Sequence, residues 1–151
     1  MKNNRTTLLI LSVLALAAIL LSACGPKATP EPVTLTISGL VNNELQLTDS
    51  DLHGMTVVTL NLTHPKSGAA DYTGVRLSDL LNEAGIQASA ATVTFTASDG
   101  FANDIDLATV QACTDCLVAF DPATPGIYNL AMGDMTSGKA WVKTVVSITV
   151  K

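Results

Sequence analysis

Aromatic residues are scarce, with three Phe, two Tyr and one Trp making 4% of the chain. So sparse a set disfavours a platform for stacking bases or an aromatic carbohydrate cleft. Cations are scarce too: eight Lys plus Arg stand against 13 Asp plus Glu, a net charge of -5, and no basic cluster exists to neutralise a phosphate backbone. Nucleic acid is therefore not an expected partner. Charged residues reach only 14% while hydrophobic ones reach 48%, a balance that excludes a disordered chain. At 151 residues there is no room for a two-domain enzyme. No internal repeat, Ser-His-Asp order, P-loop or dinucleotide fingerprint occurs.

The one long apolar run lies near the start. Lys2 and Arg5 precede Leu8 to Leu21, in which Ser12 is the only polar residue. Its 14 residues would rise about 21 Å as a helix, short of the roughly 30 Å of a bilayer core, so the run suits an export signal better than a permanent span. Leu21-Ser22-Ala23-Cys24 then has the pattern of a bacterial lipobox. The expectation is a signal peptide over 1–23 and a lipidated Cys24, which holds the protein to a membrane on its extracytoplasmic side, in the cell envelope. Residues 24–32, Pro-rich and poor in apolar side chains, form a spacer, and the domain occupies 33–151. Beyond residue 23 there are six cations against 13 carboxylates, net -7, so anionic lipid would not attract it.

Within the domain, Val33 to Ser38 alternates apolar and hydroxyl residues as a half-buried strand does. Leu45 to Leu47 forms a short strand, Thr48-Asp49-Ser50-Asp51-Leu52 offers N-cap residues for one helical turn closed by Gly54, and Met55 to Leu62 is a strand followed by a polar loop. Leu77, Leu80, Leu81 and Ala84 fall at i, i+3, i+4 and i+7, which predicts one main helix over about 76–85 with Gly85 at its end. Thr92 to Ala97, turned by Ser98-Asp99-Gly100, begins a hairpin. Helical turns over Leu107 to Ala112, a buried strand from Leu117 to Phe120, and strands at Ile127 to Met132 and Trp141 to Val150 complete an α+β domain with a β-rich core.

Leu35-Thr36-Ile37-Ser38-Gly39, Leu47-Thr48-Asp49-Ser50-Asp51-Leu52, Thr73-Gly74-Val75-Arg76-Leu77-Ser78-Asp79-Leu80-Leu81-Asn82-Glu83-Ala84-Gly85 and Ser98-Asp99-Gly100-Phe101, in that order, resemble the oxidoreductase molybdopterin-binding domain of the sulfite oxidase family. The likeness covers most of 33–151 and implies that family's mixed α+β fold, with molybdopterin as the implied cofactor. In the family a cysteine thiolate between the second main strand and the G-V-x-L helix holds the molybdenum, and arginines and lysines hold phosphate and oxyanions. Here that segment, Thr59 to Asp71, contains no cysteine, and Arg76 is the single arginine after residue 23. The expectation is a domain that kept the fold without the usual metal centre and binds a small ligand or an envelope protein. The alternative is a molybdopterin-dependent oxidoreductase, or a redox accessory, that uses an atypical cofactor site or the Cys113/Cys116 pair.

Cys113-Thr114-Asp115-Cys116 can be a redox dithiol, half of a zinc site or a local disulfide. Export to an oxidising compartment and the shortage of further ligands favour a disulfide. His64 lies in the loop where the resemblance places the metal, so it is either a ligand-binding residue or an ordinary loop histidine beside Pro65. Asp99 is a turn residue or a binding one. With Lys139, these two are the candidate ligand-binding residues; no metal ligand set and no catalytic residue is expected. Asp104 and Asp106, two apart on a strand, are solvated charges or a cation contact. Met132, Met135 and Trp141 flank the loop from Gly133 to Gly138 as core filler or pocket lining.

Overall fold

The computed structural model describes residues 29–133 and 135–151; the expected signal peptide, Cys24 and Asp134 lie outside the described residues. Among the described residues, nine strands and three helices follow the order β1 (Val33–Gly39), β2 (Leu45–Thr48), α1 (Asp49–Gly54), β3 (Val57–His64), β4 (Gly68–Arg76), α2 (Leu77–Ala84), β5 (Thr92–Ala97), β6 (Ala102–Asp106), α3 (Leu107–Ala112), β7 (Cys116–Phe120), β8 (Tyr128–Met132) and β9 (Val145–Val150). One sheet has the strand order β2-β1-β9-β5-β6 and the other β3-β4-β7-β8. All pairings are antiparallel except that of β1 with β9. The α+β class therefore holds, and a compact unit spans Glu31–Lys151.

Alternation assigns the faces. Leu35 and Ile37 of β1, Phe95 of β5 and Ile148 of β9 are fully buried, and they join Val75, Leu117 and Leu130 of the other sheet in one core. On the opposite face of the larger sheet the register sets hydroxyls side by side, with Ser147 between Thr36 and Thr96 and Thr149 between Ser38 and Thr94. Thr48 caps α1 through a reciprocal capping box with Asp51, which satisfies two helix-end donors. In α2 the four residues at helical spacing are the ones buried, and Gly85 terminates it in the left-handed region at φ 68.

Two sequence expectations need correction. The polar loop after the β3 run is largely strand β4, which pairs with β3 over its whole length from His64↔Gly68 to Val57↔Val75. Its Gly68-Ala69-Ala70-Asp71 stretch is exposed and carries no apolar alternation, so the partner strand decides its conformation. The main helix falls where its spacing predicts, over Leu77–Ala84 with Arg76 at its N-cap and Gly85 at its C-cap, and Arg76 is still paired to β7. The last strand begins at Val145, not Trp141: Thr144 adopts φ 49, its N–H donates to the Asn129 side-chain oxygen at 2.9 Å, and the chain bends there.

A candidate anion cleft around Trp141

Three segments distant in sequence converge on the single tryptophan. The first is the tight turn joining β3 to β4. His64 Nδ1 accepts the backbone N–H groups of Lys66 at 3.1 Å and Ser67 at 3.2 Å, which pins the turn and leaves the ring proton on Nε2. The imidazole and Trp141 rings meet nearly at right angles with centroids 4.8 Å apart, and Tyr72 of β4 meets Trp141 in a similar T-shaped contact at 5.3 Å. The second segment is Ser137 to Thr144, in which Trp141 is 7% exposed. Its indole N–H points to the Met135 carbonyl at 3.5 Å. The third segment is the β5–β6 turn, where Asp99 accepts the Phe101 N–H at 2.9 Å and so acts as the expected turn residue.

The resulting cleft has two lobes that share Lys66, Gly138, Trp141 and Lys143. One, of about 560 Å3, adds His64, Ser67, Tyr72, Asn129 and Leu130. The other, of about 540 Å3, adds Asp99, Phe101, Ser137 and Lys139 among its lining. All three candidate ligand-binding residues thus border one cleft. Lys66 and Lys143, which sequence reasoning passed over, stand beside them. The only sequence signal for that pair is that cations are so rare in this chain.

Charge separates the lobes. The His64 lobe contains no carboxylate and is rich in donors, namely the ammonium groups of Lys66 and Lys143 and the hydroxyls of Ser67 and Tyr72. Asn129 is already engaged: its amide donates to Asp121 at 3.1 Å and its oxygen accepts from Thr144. Asp121 also accepts from the N–H groups of Ala123 and Thr124, and these bonds, Ala123 first, hold its carboxyl below the ordinary carboxylate range. That chain of bonds fixes the segment that carries Lys143. Among the described residues Arg76 and Lys151 are ion-paired, to Asp115 and Asp104, whereas Lys66, Lys139 and Lys143 are in no ion pair.

The remaining sequence-predicted residues lie elsewhere. Cys113 and Cys116 are joined in a disulfide with Cα atoms 5.6 Å apart. The geometry is reached because Cys113 leaves α3 in an extended conformation, which removes the helical spacing. Arg76 donates to the Thr114 carbonyl beside that disulfide and takes no part in the cleft lining. Asp104 accepts the Thr94 hydroxyl at 2.5 Å and Asp106 caps α3 through the Ala108 N–H at 2.8 Å, so each has a structural partner. Among the described residues no group of three His, Cys, Asp or Glu side chains could hold a metal ion.

One mixed and one antiparallel sheet, with α2 packed across β4 and β7, define a small α+β domain of the sulfite oxidase type. The family model for the oxidoreductase molybdopterin binding domain matches residues 23–123, and the chain belongs to that family. The crystal structure of the sulfane dehydrogenase SoxCD from Paracoccus pantotrophus is similar in fold, with a TM-score of 0.64 at 21% identity over 77% of this chain. The match spans 37% of that longer chain. No functionally curated protein matches the sequence.

The family's cofactor fits this cleft only in part. Lysines and hydroxyls suit a phosphate or another oxyanion, but the β3–β4 hairpin offers no thiol, and both cysteines among the described residues are bonded to each other. Among the described residues there is no free thiolate to hold a molybdenum.

Proposed function

We propose that this protein is a lipid-anchored, extracytoplasmic binding module that holds a small oxyanion in the His64 lobe of the Trp141 cleft and carries no molybdenum catalysis. One observation carries the reading. Residues 31–151 contain five cations against 13 carboxylates, yet two of the five, Lys66 and Lys143, line the His64 lobe, where no carboxylate joins them and, among the described residues, neither is in an ion pair. Two ammonium groups lining a lobe without a carboxylate are better placed when an anion sits between them. The envelope location rests on Lys2, Arg5, the apolar run and Leu21-Ser22-Ala23-Cys24. Labelled palmitate retained by the wild type and absent from Cys24→Ser is the expected outcome for the anchor; equal labelling contradicts it.

Trp141, as the only tryptophan, reports on the cleft directly. Inorganic phosphate titrated into the full chain in detergent should change its emission saturably, against chloride at matched ionic strength. Lys66→Gln and Lys143→Gln should each weaken that response about five- to tenfold, as expected for roughly 1 kcal/mol per contact. No response to phosphate, or one unchanged in the double variant, overturns the reading.

A further inference from the structure

The Cys113–Cys116 disulfide lies outside the cleft lining but is connected to it by a short series of contacts. It closes a loop of four residues, and the chain-entropy contribution of a disulfide shrinks with loop length, so its main consequence is local geometry. The loop it holds is engaged on both sides. The Thr114 carbonyl accepts from Arg76, and the Asp115 carbonyl accepts the Gly133 N–H at 3.0 Å. Gly133 is seated without slack: a Cβ there would come within 2.9 Å of the Asp115 oxygen and 2.7 Å of the Leu62 side chain. Two residues on, Met135 borders the same surface groove as Cys113, and its carbonyl accepts the Trp141 indole N–H.

We propose that this disulfide is a redox latch on the Trp141 cleft, opened by thiol–disulfide exchange with an external dithiol. The inference rests on the cleft being the binding site argued above. Both sulfurs belong to buried residues, Cys113 at 4% exposed and Cys116 at 1%, and Cys113 is the one to be attacked because it alone borders the groove with Ala108, Thr109, Ala112 and Met135. The incoming thiolate bonds to Cys113 Sγ, the S–S bond breaks, and the electron pair leaves on Cys116, which takes up a proton. The second thiol of the reductant then attacks the mixed disulfide and releases Cys113. The protein gains two electrons and two protons, and the dithiol leaves as a disulfide. Freed of its cross-link, the Thr114–Asp115 loop no longer fixes Gly133, and the Met135 carbonyl loses its fixed position against Trp141.

The test compares the full chain in detergent in its oxidised form with the same protein reduced by dithiothreitol and alkylated, together with a Cys113→Ser/Cys116→Ser variant. Reduction is expected to proceed without denaturant, to increase acrylamide quenching of Trp141, and to weaken the phosphate response about tenfold, with unchanged far-UV circular dichroism. Identical quenching and phosphate response in both redox forms overturns the latch. Global unfolding on reduction also overturns it, since the bond would then be a stability cross-link, and so does a disulfide that resists reduction until the fold is lost. If phosphate leaves Trp141 unaffected in the oxidised protein, the binding reading fails while the difference in acrylamide quenching still decides the latch.

Discussion

Tyr128 shows how one buried polar group ties the two sheets together. Its phenol donates to the Asp49 carboxylate, which brings the start of β8 against the start of α1, and its ring lies nearly perpendicular to that of Phe120 with centroids 5.9 Å apart. His53, at the far end of α1, stacks on the other side of Phe120 at 4.1 Å. Burial, reinforced by the bond to Asp49, pushes the Tyr128 phenol up to about 12. A phenol that titrates higher folded than unfolded contributes stability that is complete below about pH 10 and is lost as the pH rises toward 12. The contribution is on the order of 2 kcal/mol. Urea unfolding should therefore show a drop in stability between about pH 8 and about pH 11.5 that is smaller in Tyr128→Phe. An equal drop in both proteins would contradict this account. In Tyr128→Phe the Asp49 carboxylate loses a partner, which costs about 1 to 2 kcal/mol at neutral pH.

Among the elements, the ones legible in the sequence are those whose burial follows a simple period. Leu77, Leu80, Leu81 and Ala84 announced α2, and Leu35 with Ile37 announced β1. Strand β4 was hidden because its first half faces solvent and owes its extension to β3 and to a turn pinned by His64. Its second half is set by contact: Gly74 pairs with Ala119, and a Cβ at Gly74 would fall 2.1 Å from the Val118 oxygen and 2.6 Å from the Ala119 Cα. Both obstacles are backbone, which cannot yield as a flexible side chain would. Gly74→Ala should therefore destabilise the protein by at least about 2 kcal/mol in urea unfolding and disturb the junction of β4 with α2. A variant as stable as the wild type would show that the β4–β7 pair can open at no cost. The strand expected from Trp141 onward failed for a related reason, since the bond from Thr144 to Asn129 bends the chain, and that bond joins residues 15 apart.

At the scale of the molecule, the candidate site was only half legible. His64, Asp99 and Lys139 were singled out from loops far apart in sequence, and all three border the cleft. Lys66 and Lys143 were not, because convergence of three loops is a property of the sheet order, which no local period records. The fold that assembles this cleft is that of the molybdopterin-binding family, while the donor set assembled in it is lysine and hydroxyl without a thiol. The function proposed above is that of a domain with the family's fold and without its metal. Metal and pterin analysis of the full chain, isolated from a host that makes molybdopterin, tests that claim most directly. The account predicts no stoichiometric molybdenum and no molybdenum-dependent absorbance; one molybdenum per chain, retained through purification, would contradict it.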